Sequence, residues 1–179
     1  MTFNLRLLGR FAPRLLGLSV CALLANCIDS VQPILTDAQP VLGDRFQFAL
    51  YALRDGTAHD PITAIFVWRH DRYVLTSGGR EGFGDVTVHT LGGPDLIVQS
   101  IRPGLPAEYA IARKLAEATY LVIAIDETDA DEATRARFCG KGIGASCRVA
   151  VRDAVLAFAH ATAAKPHQAG GLAVLLADQ

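Results

Sequence analysis

From Asp44 onward, apolar and polar residues alternate along most of the chain, and a period of two predicts strands. In 45–51 (RFQFALY), Phe46, Phe48 and Leu50 share one face while Arg45, Gln47 and Tyr51 share the other. Residues 62–69 (ITAIFVWR) are β-branched and aromatic, which favours a strand. His70-Asp71 reads as a tight turn, and 72–76 (RYVLT) as the returning arm of a hairpin. In 85–91 (DVTVHTL), Val86, Val88 and Thr90 face one way and Thr87, His89 and Leu91 the other. Further strands are expected over 96–101, 108–114 and 119–125, the last two joined near Ala116-Glu117. Residues 107–118 contain enough Ala, Glu, Lys and Arg for a helix as well, but Tyr109 and Ile111 continue the alternation. Turn signals separate these runs: Asp55-Gly56, the glycine-rich stretch 77–84, Gly92-Gly93-Pro94-Asp95 and 103–106.

The helical period enters near the end. Over 151–164, Val151, Val155, Phe158 and Thr162 fall at spacings of four and three, and Lys165-Pro166 ends the helix. Residues 133–138 suggest a short helical turn, and 172–177 (LAVLLA) a last strand buried on both faces or a short edge-covering piece. The expected fold is α+β and mainly β. It is an antiparallel meander of about seven or eight strands, sandwich-like or a partly closed barrel. One C-terminal helix packs on it and covers an open face or edge.

The first 27 residues follow another pattern. Arg6, Arg10 and Arg14 precede an 11-residue apolar run, Leu15 to Ala25, with no acidic residue before Asp29. A basic start, a short apolar core and a small-residue exit are the layout of an export signal. The run is too short for a membrane-spanning helix, which needs about 20 residues. Leu24-Ala25-Asn26-Cys27 resembles the lipobox of bacterial lipoproteins, with Asn26 standing where that pattern has a small residue. The resemblance covers four residues and implies that Cys27 is lipidated and becomes the new N-terminus. It divides the chain into a signal peptide (1–26), a lipidated Cys27 with a flexible tether (27–43), and one β-rich domain (44–179). Within the tether, Val31, Ile34 and Leu35 have the alternative of docking on the domain. The residue after Cys27 is Ile28 rather than the Asp of inner-membrane retention, so an outer-membrane, periplasm-facing position is favoured.

Composition narrows the partners. Removing Arg6, Arg10 and Arg14 from 17 basic residues leaves 14 against 18 acidic ones, a net charge of −4. There is no basic stripe, which argues against nucleic acid. A mildly acidic body gives no reason to bind anionic lipid heads, so attachment to the bilayer would come from acyl chains on Cys27. Of the four cysteines, Cys21 lies in the signal core, and Cys139 and Cys147 are eight apart. In an oxidising compartment those two most simply form a disulfide. A metal or redox pair is the alternative.

No motif names a reaction or a cofactor. Residues 140–146 lack P-loop spacing, and His59, His70, His89, His160 and His167 fall in no ligand pattern. Ser77, His89 and Asp85 are the nearest approach to a triad, without a nucleophile elbow. The acidic run 126–132 reads as a solvated turn. The aromatic residues at strand positions read as core, but Trp68 and Tyr73, at a hairpin end, are candidates to line a ligand groove. The expectation is a non-catalytic binding or assembly module of the cell envelope, whose partner is an envelope protein, a cell-wall component or lipid. The alternative is a small periplasmic hydrolase, which requires His70, His89 and Asp85 to converge.

Overall fold

The computed structural model describes residues 27–54, 57–79, 83–141, 147–166 and 169–177. Residues 1–26 (expected to form the signal segment), Asp55-Gly56, parts of the two glycine-rich loops and His167 lie outside the described residues.

The chain forms β1 (Ile28–Ser30), β2 (Arg45–Arg54), β3 (Thr57–Ala58), β4 (Ile62–Arg69), β5 (Arg72–Gly78), β6 (Asp85–Gly92), β7 (Asp95–Ile101), β8 (Ala107–Ala116) and β9 (Thr119–Ala124). A 3₁₀ turn (Glu127–Asp129), α1 (Glu132–Phe138), β10 (Gly140–Lys141), β11 (Cys147–Arg148), α2 (Arg152–Ala163) and β12 (Gly171–Leu176) follow. The fold is α+β and mainly β, as the alternation predicts. Pairing runs β8-β7-β6-β5-β4-β2-β12-β9 and returns from β9 to β8, which closes an antiparallel barrel of eight strands. All eight strands and both helices lie within residues 28–176.

Local chemistry fixes the register. At the β4–β5 turn, His70 and Asp71 take positive φ of 50° and 60°, which matches a two-residue hairpin to the strand twist. Between Ile65 and Phe66 the ladder slips past Thr76, and beyond the slip Gly78 pairs with Ala64. A Cβ on Gly78 would meet the Thr63 carbonyl oxygen at 2.3 Å, so only glycine lets the strands approach there. β5 and β6 share the single pair Tyr73↔Val86 among the described residues. Beside it the Asp85 carboxylate accepts from the Leu75 N–H at 3.2 Å, replacing a backbone acceptor.

Two cores lie on opposite sides of the barrel wall. Inside, Phe46, Ala64, Phe66, Tyr73 and Val88 pack together. Outside, Ile97, Ile111 and Ile123 of β7–β9 pack against Val155 and Phe158 of α2. The buried stripe of α2 is Ala154, Val155, Phe158, Ala159 and Thr162. Its alanines let the helix approach the sheet closely, while Val151 is half-exposed at the N-cap rather than part of the stripe. Each fully buried Val, Ile or Phe side chain here contributes roughly 1.5–3 kcal/mol. Arg113 grips Asp95 through two bonds of 2.8 and 2.9 Å and donates a third, at 2.7 Å, to the Ala163 carbonyl at the end of α2.

Three expectations need correction. Residues 28–43 are not a free tether, because Ile28, Leu35 and Ala38 are buried and β1 pairs with β8 and β11. Of the three residues with the docking alternative, Leu35 docks fully and Ile34 partly, whereas Val31 stays exposed. The acidic run is structural rather than merely solvated. Asp126 caps the 3₁₀ turn, Asp131 caps α1, and Asp129 accepts from Thr162 at 2.9 Å and pairs with Lys165 at 3.3 Å. The last strand, β12, is neither fully buried nor edge-covering: it inserts between β2 and β9 and completes the barrel.

Candidate functional site

In a strand the more buried face is normally the one inside the core. β7–β9 invert this. Their outward residues Ile97, Gln99, Tyr109, Ile111 and Ile123 are at most 3% exposed, sealed by α2 and by residues 31–43. Of their inward neighbours, Leu96, Val98, Ala110, Val122 and Ala124 stay half-buried, while Ala112 and Tyr120 are buried at 8% and 9%. Solvent therefore reaches the lumen side of this wall more easily than the helix side.

The lumen is asymmetric. One wall carries an aromatic column: Phe83 stacks on Phe48 at 6.3 Å, Phe48 on Phe66 at 5.7 Å, and Phe66 on Phe46 at 5.3 Å. Phe46 then meets Tyr73 edge-on at 4.8 Å, and Tyr73 meets Trp68 at 4.9 Å. The facing wall is built of small residues in register, with Val98 opposite Ala110, Ala110 opposite Ala124, and Ala112 opposite Val122. Large side chains thus face a wall of mostly small ones, with Leu96 on β7 and Tyr120 on β9 as the larger inward residues. An eight-stranded barrel is about the size that holds either a filled core or one small ligand.

Trp68 and Tyr73 separate in role. Trp68 is half-buried on the lumen side. Tyr73 is fully buried, and its hydroxyl donates to the Gly43 carbonyl at 3.0 Å and accepts from the Leu42 N–H at 2.9 Å. Burial pushes its pKa up. Tyr73 belongs to the sealed core; Trp68 alone of the pair keeps an accessible surface.

The residues considered for catalysis do not assemble. Ser77 is exposed on β5, and the Asp85 carboxylate serves Leu75 and lies 3.8 Å from Arg72. His89 is four residues further along β6, roughly 13 Å away at strand rise. It faces outward, toward the Leu35 backbone, Asp37 and Arg152. His70 sits in the exposed β4–β5 turn. Burial lowers the His89 pKa, the Arg152 charge lowers it further, and Asp37 partly offsets both.

The disulfide expected from cysteine spacing is present, with Cys139 and Cys147 joined at 2.03 Å. The Glu127 carboxylate and both sulfurs lie within 4.8 Å of one another. A disulfide offers no thiolate to a metal, so this group is not a metal site in its oxidised form. Burial, then the neighbouring Asp126, raises the Glu127 pKa. Cys27 is 7% exposed and forms a β-bridge with Asp126.

The small-residue wall was missed from sequence, although Ala110, Ala112 and Ala124 at alternating positions of apolar strands were its signal. Compared with known proteins, the chain matches no family model, no curated protein and no solved structure.

Proposed function

We propose that this chain is an exported envelope protein, anchored by acyl chains on Cys27, whose barrel binds one small apolar ligand without transforming it. The observation that carries the reading is the inverted burial of β7–β9, in which the sealed face is outside and the accessible face lines the lumen. An apolar, partly accessible interior with few polar groups is the usual composition of a small-molecule site. The export-type leader and the disulfide both fit an oxidising compartment.

The anchor has a structural consequence. β1 starts at Ile28, so acyl chains on Cys27 would hold the barrel against the bilayer with no spacer. Cys27 would have to leave its bridge with Asp126, while Ile28 stays in the core.

The test uses the chain from Cys27 onward, which contains every element described. Binding of the lipophilic dye N-phenyl-1-naphthylamine is followed by its fluorescence. Ala110→Phe fills the small-residue wall and is expected to abolish binding while the far-ultraviolet circular dichroism stays unchanged. An outward substitution, Ile65→Thr, is expected to leave binding intact. Unaltered dye binding by a folded Ala110→Phe protein would refute the lumen as the site.

A further inference from the structure

A row of charged residues crosses the barrel rim beside β8. Glu108 lies directly opposite Asp29, and Asp29 lies directly opposite Arg148. The alternate residues of the same three strands, Tyr109, Ile28 and Cys147, go into the outer core. Glu108, Asp29 and Arg148 therefore occupy the lumen-side face. The row continues into the barrel through Ser100, which pairs with Glu108. Ala110 is the next inward residue along β8.

The charges in this row are matched. Arg148 Nε donates to Asp29 Oδ1 at 2.8 Å, and Arg102 pairs with Glu108 through its guanidinium. The side chains of Asp29 and Arg102 are 12% and 11% exposed and those of Arg148 and Glu108 25% each, so both pairs are partly withdrawn from water. Arg148 Nη2 is buried and has no hydrogen-bond partner among the described residues. A buried donor on a charged group without an acceptor is costly, so an acceptor at this point is strongly favoured.

We propose that Arg148 Nη2 receives an uncharged oxygen, a carbonyl of an ester, ketone or aldehyde, at the polar end of the ligand held in the lumen; this rests on the lumen reading above. Charge balance selects the acceptor. Arg102 and Arg148 are already neutralised by Glu108 and Asp29, so a carboxylate or phosphate would leave one negative charge uncompensated in a partly covered site. A cation has no acceptor to offer Nη2. A neutral carbonyl satisfies the donor and adds no charge. With its oxygen there, the apolar part of the ligand runs along Ser100 and Ala110 into the small-residue wall.

Three probes with matched ten-carbon chains separate the possibilities: decane, methyl decanoate and decanoate, each titrated by displacement of N-phenyl-1-naphthylamine. Methyl decanoate is expected to bind about tenfold more tightly than decane, the value of one hydrogen bond to a charged donor. Arg148→Ala is expected to erase that difference and leave decane binding unchanged. Because this change leaves Asp29 without its partner, the paired variant Asp29→Leu with Arg148→Met, which removes the donor and its partner together, keeps the test valid if the single variant does not fold. Equal binding of ester and alkane to the native protein would overturn the proposal and leave the lumen reading standing. Tightest binding of decanoate, lost on changing Arg148, would overturn it in favour of an anion site. Binding of none of the probes would overturn the lumen reading and this proposal together.

Discussion

The side-chain amide of Gln99 holds the backbone of Leu35 as a neighbouring strand would. Gln99 Oε1 accepts from the Leu35 N–H at 3.0 Å and from the Ile34 N–H at 2.8 Å, and Gln99 Nε2 donates to the Leu35 carbonyl at 3.0 Å. A second donation reaches Thr87 Oγ1 at 2.9 Å. Gln99 is fully buried and every polar atom of its side chain is used, which makes it the clamp that keeps residues 31–43 on the outer face of β6 and β7.

Gln99→Leu is therefore expected to destabilise the fold by about 3 kcal/mol, because the Leu35 and Ile34 N–H groups lose their acceptor in a dry place. Urea denaturation measures the loss. Hydrogen exchange is expected to show the amides of Ile34 and Leu35 losing protection before the barrel amides do. A change within 0.5 kcal/mol, a surface-like effect, would contradict the role of the clamp.

His89 gives the same region a pH response. Its pKa is lowered by burial from the ordinary value of 6.5, so the folded protein holds it neutral where the unfolded chain already takes up a proton. Stability attributable to His89 is thus fully present above 6.5 and is lost as pH falls from there through the lower folded value. The groups facing the ring are the Leu35 backbone, Asp37 and Arg152. Urea midpoints measured from about pH 7 down to about pH 5 are expected to fall in the native protein and to flatten in His89→Gln. Parallel slopes in the two proteins would place the pH response elsewhere.

The disulfide and the anchor are read together from an intact mass. Protein extracted from membranes is expected to have the mass of residues 27–179 plus acyl groups and to gain about 2 Da on reduction. The ring closed by Cys139 and Cys147 is short, so replacing both by serine is expected to lower stability by about 2–3 kcal/mol. An unacylated or differently cleaved chain with reduced thiols would remove both the anchor and the compartment inferred from it.

The strands were legible because each buries one face, and the period of two survives whichever side is sealed. Phe46-Phe48-Leu50 and Val86-Val88-Thr90 were assigned to the right shared faces for that reason. Alternation does not say which face is inside. On β7–β9 the helix seals the outer side, so Ile97 and Ile111 belong to a different core from Val98 and Ala110. A partly closed barrel was one of two architectures the strands allowed, and which strands close it was invisible for a related reason. The pairing of β12 with both β2 and β9 joins residues more than 45 positions apart, such as Ala173 with Tyr120 and Leu50, and no local pattern encodes it.

Residues 28–43 were misread because they have two prolines, no clear period and few charges, while what fixes them, Gln99 and the ladder to Ala107 and Glu108, lies far away in sequence. The same distance hid the row Glu108–Asp29–Arg148, whose members are scattered along the chain. The disulfide was readable because its two partners share one short loop.

Methyl-resolved NMR of the chain from Cys27 onward, titrated with methyl decanoate, tests the central claim most directly. The account predicts that the methyl signals of Leu50, Ile62, Val98 and Val122, on the lumen side, shift together and saturate, while those of Ile97, Ile111 and Ile123 under α2 stay in place. Shifts confined to outward methyls such as Ile65, Val67 and Leu172, with the lumen methyls unmoved, would contradict it.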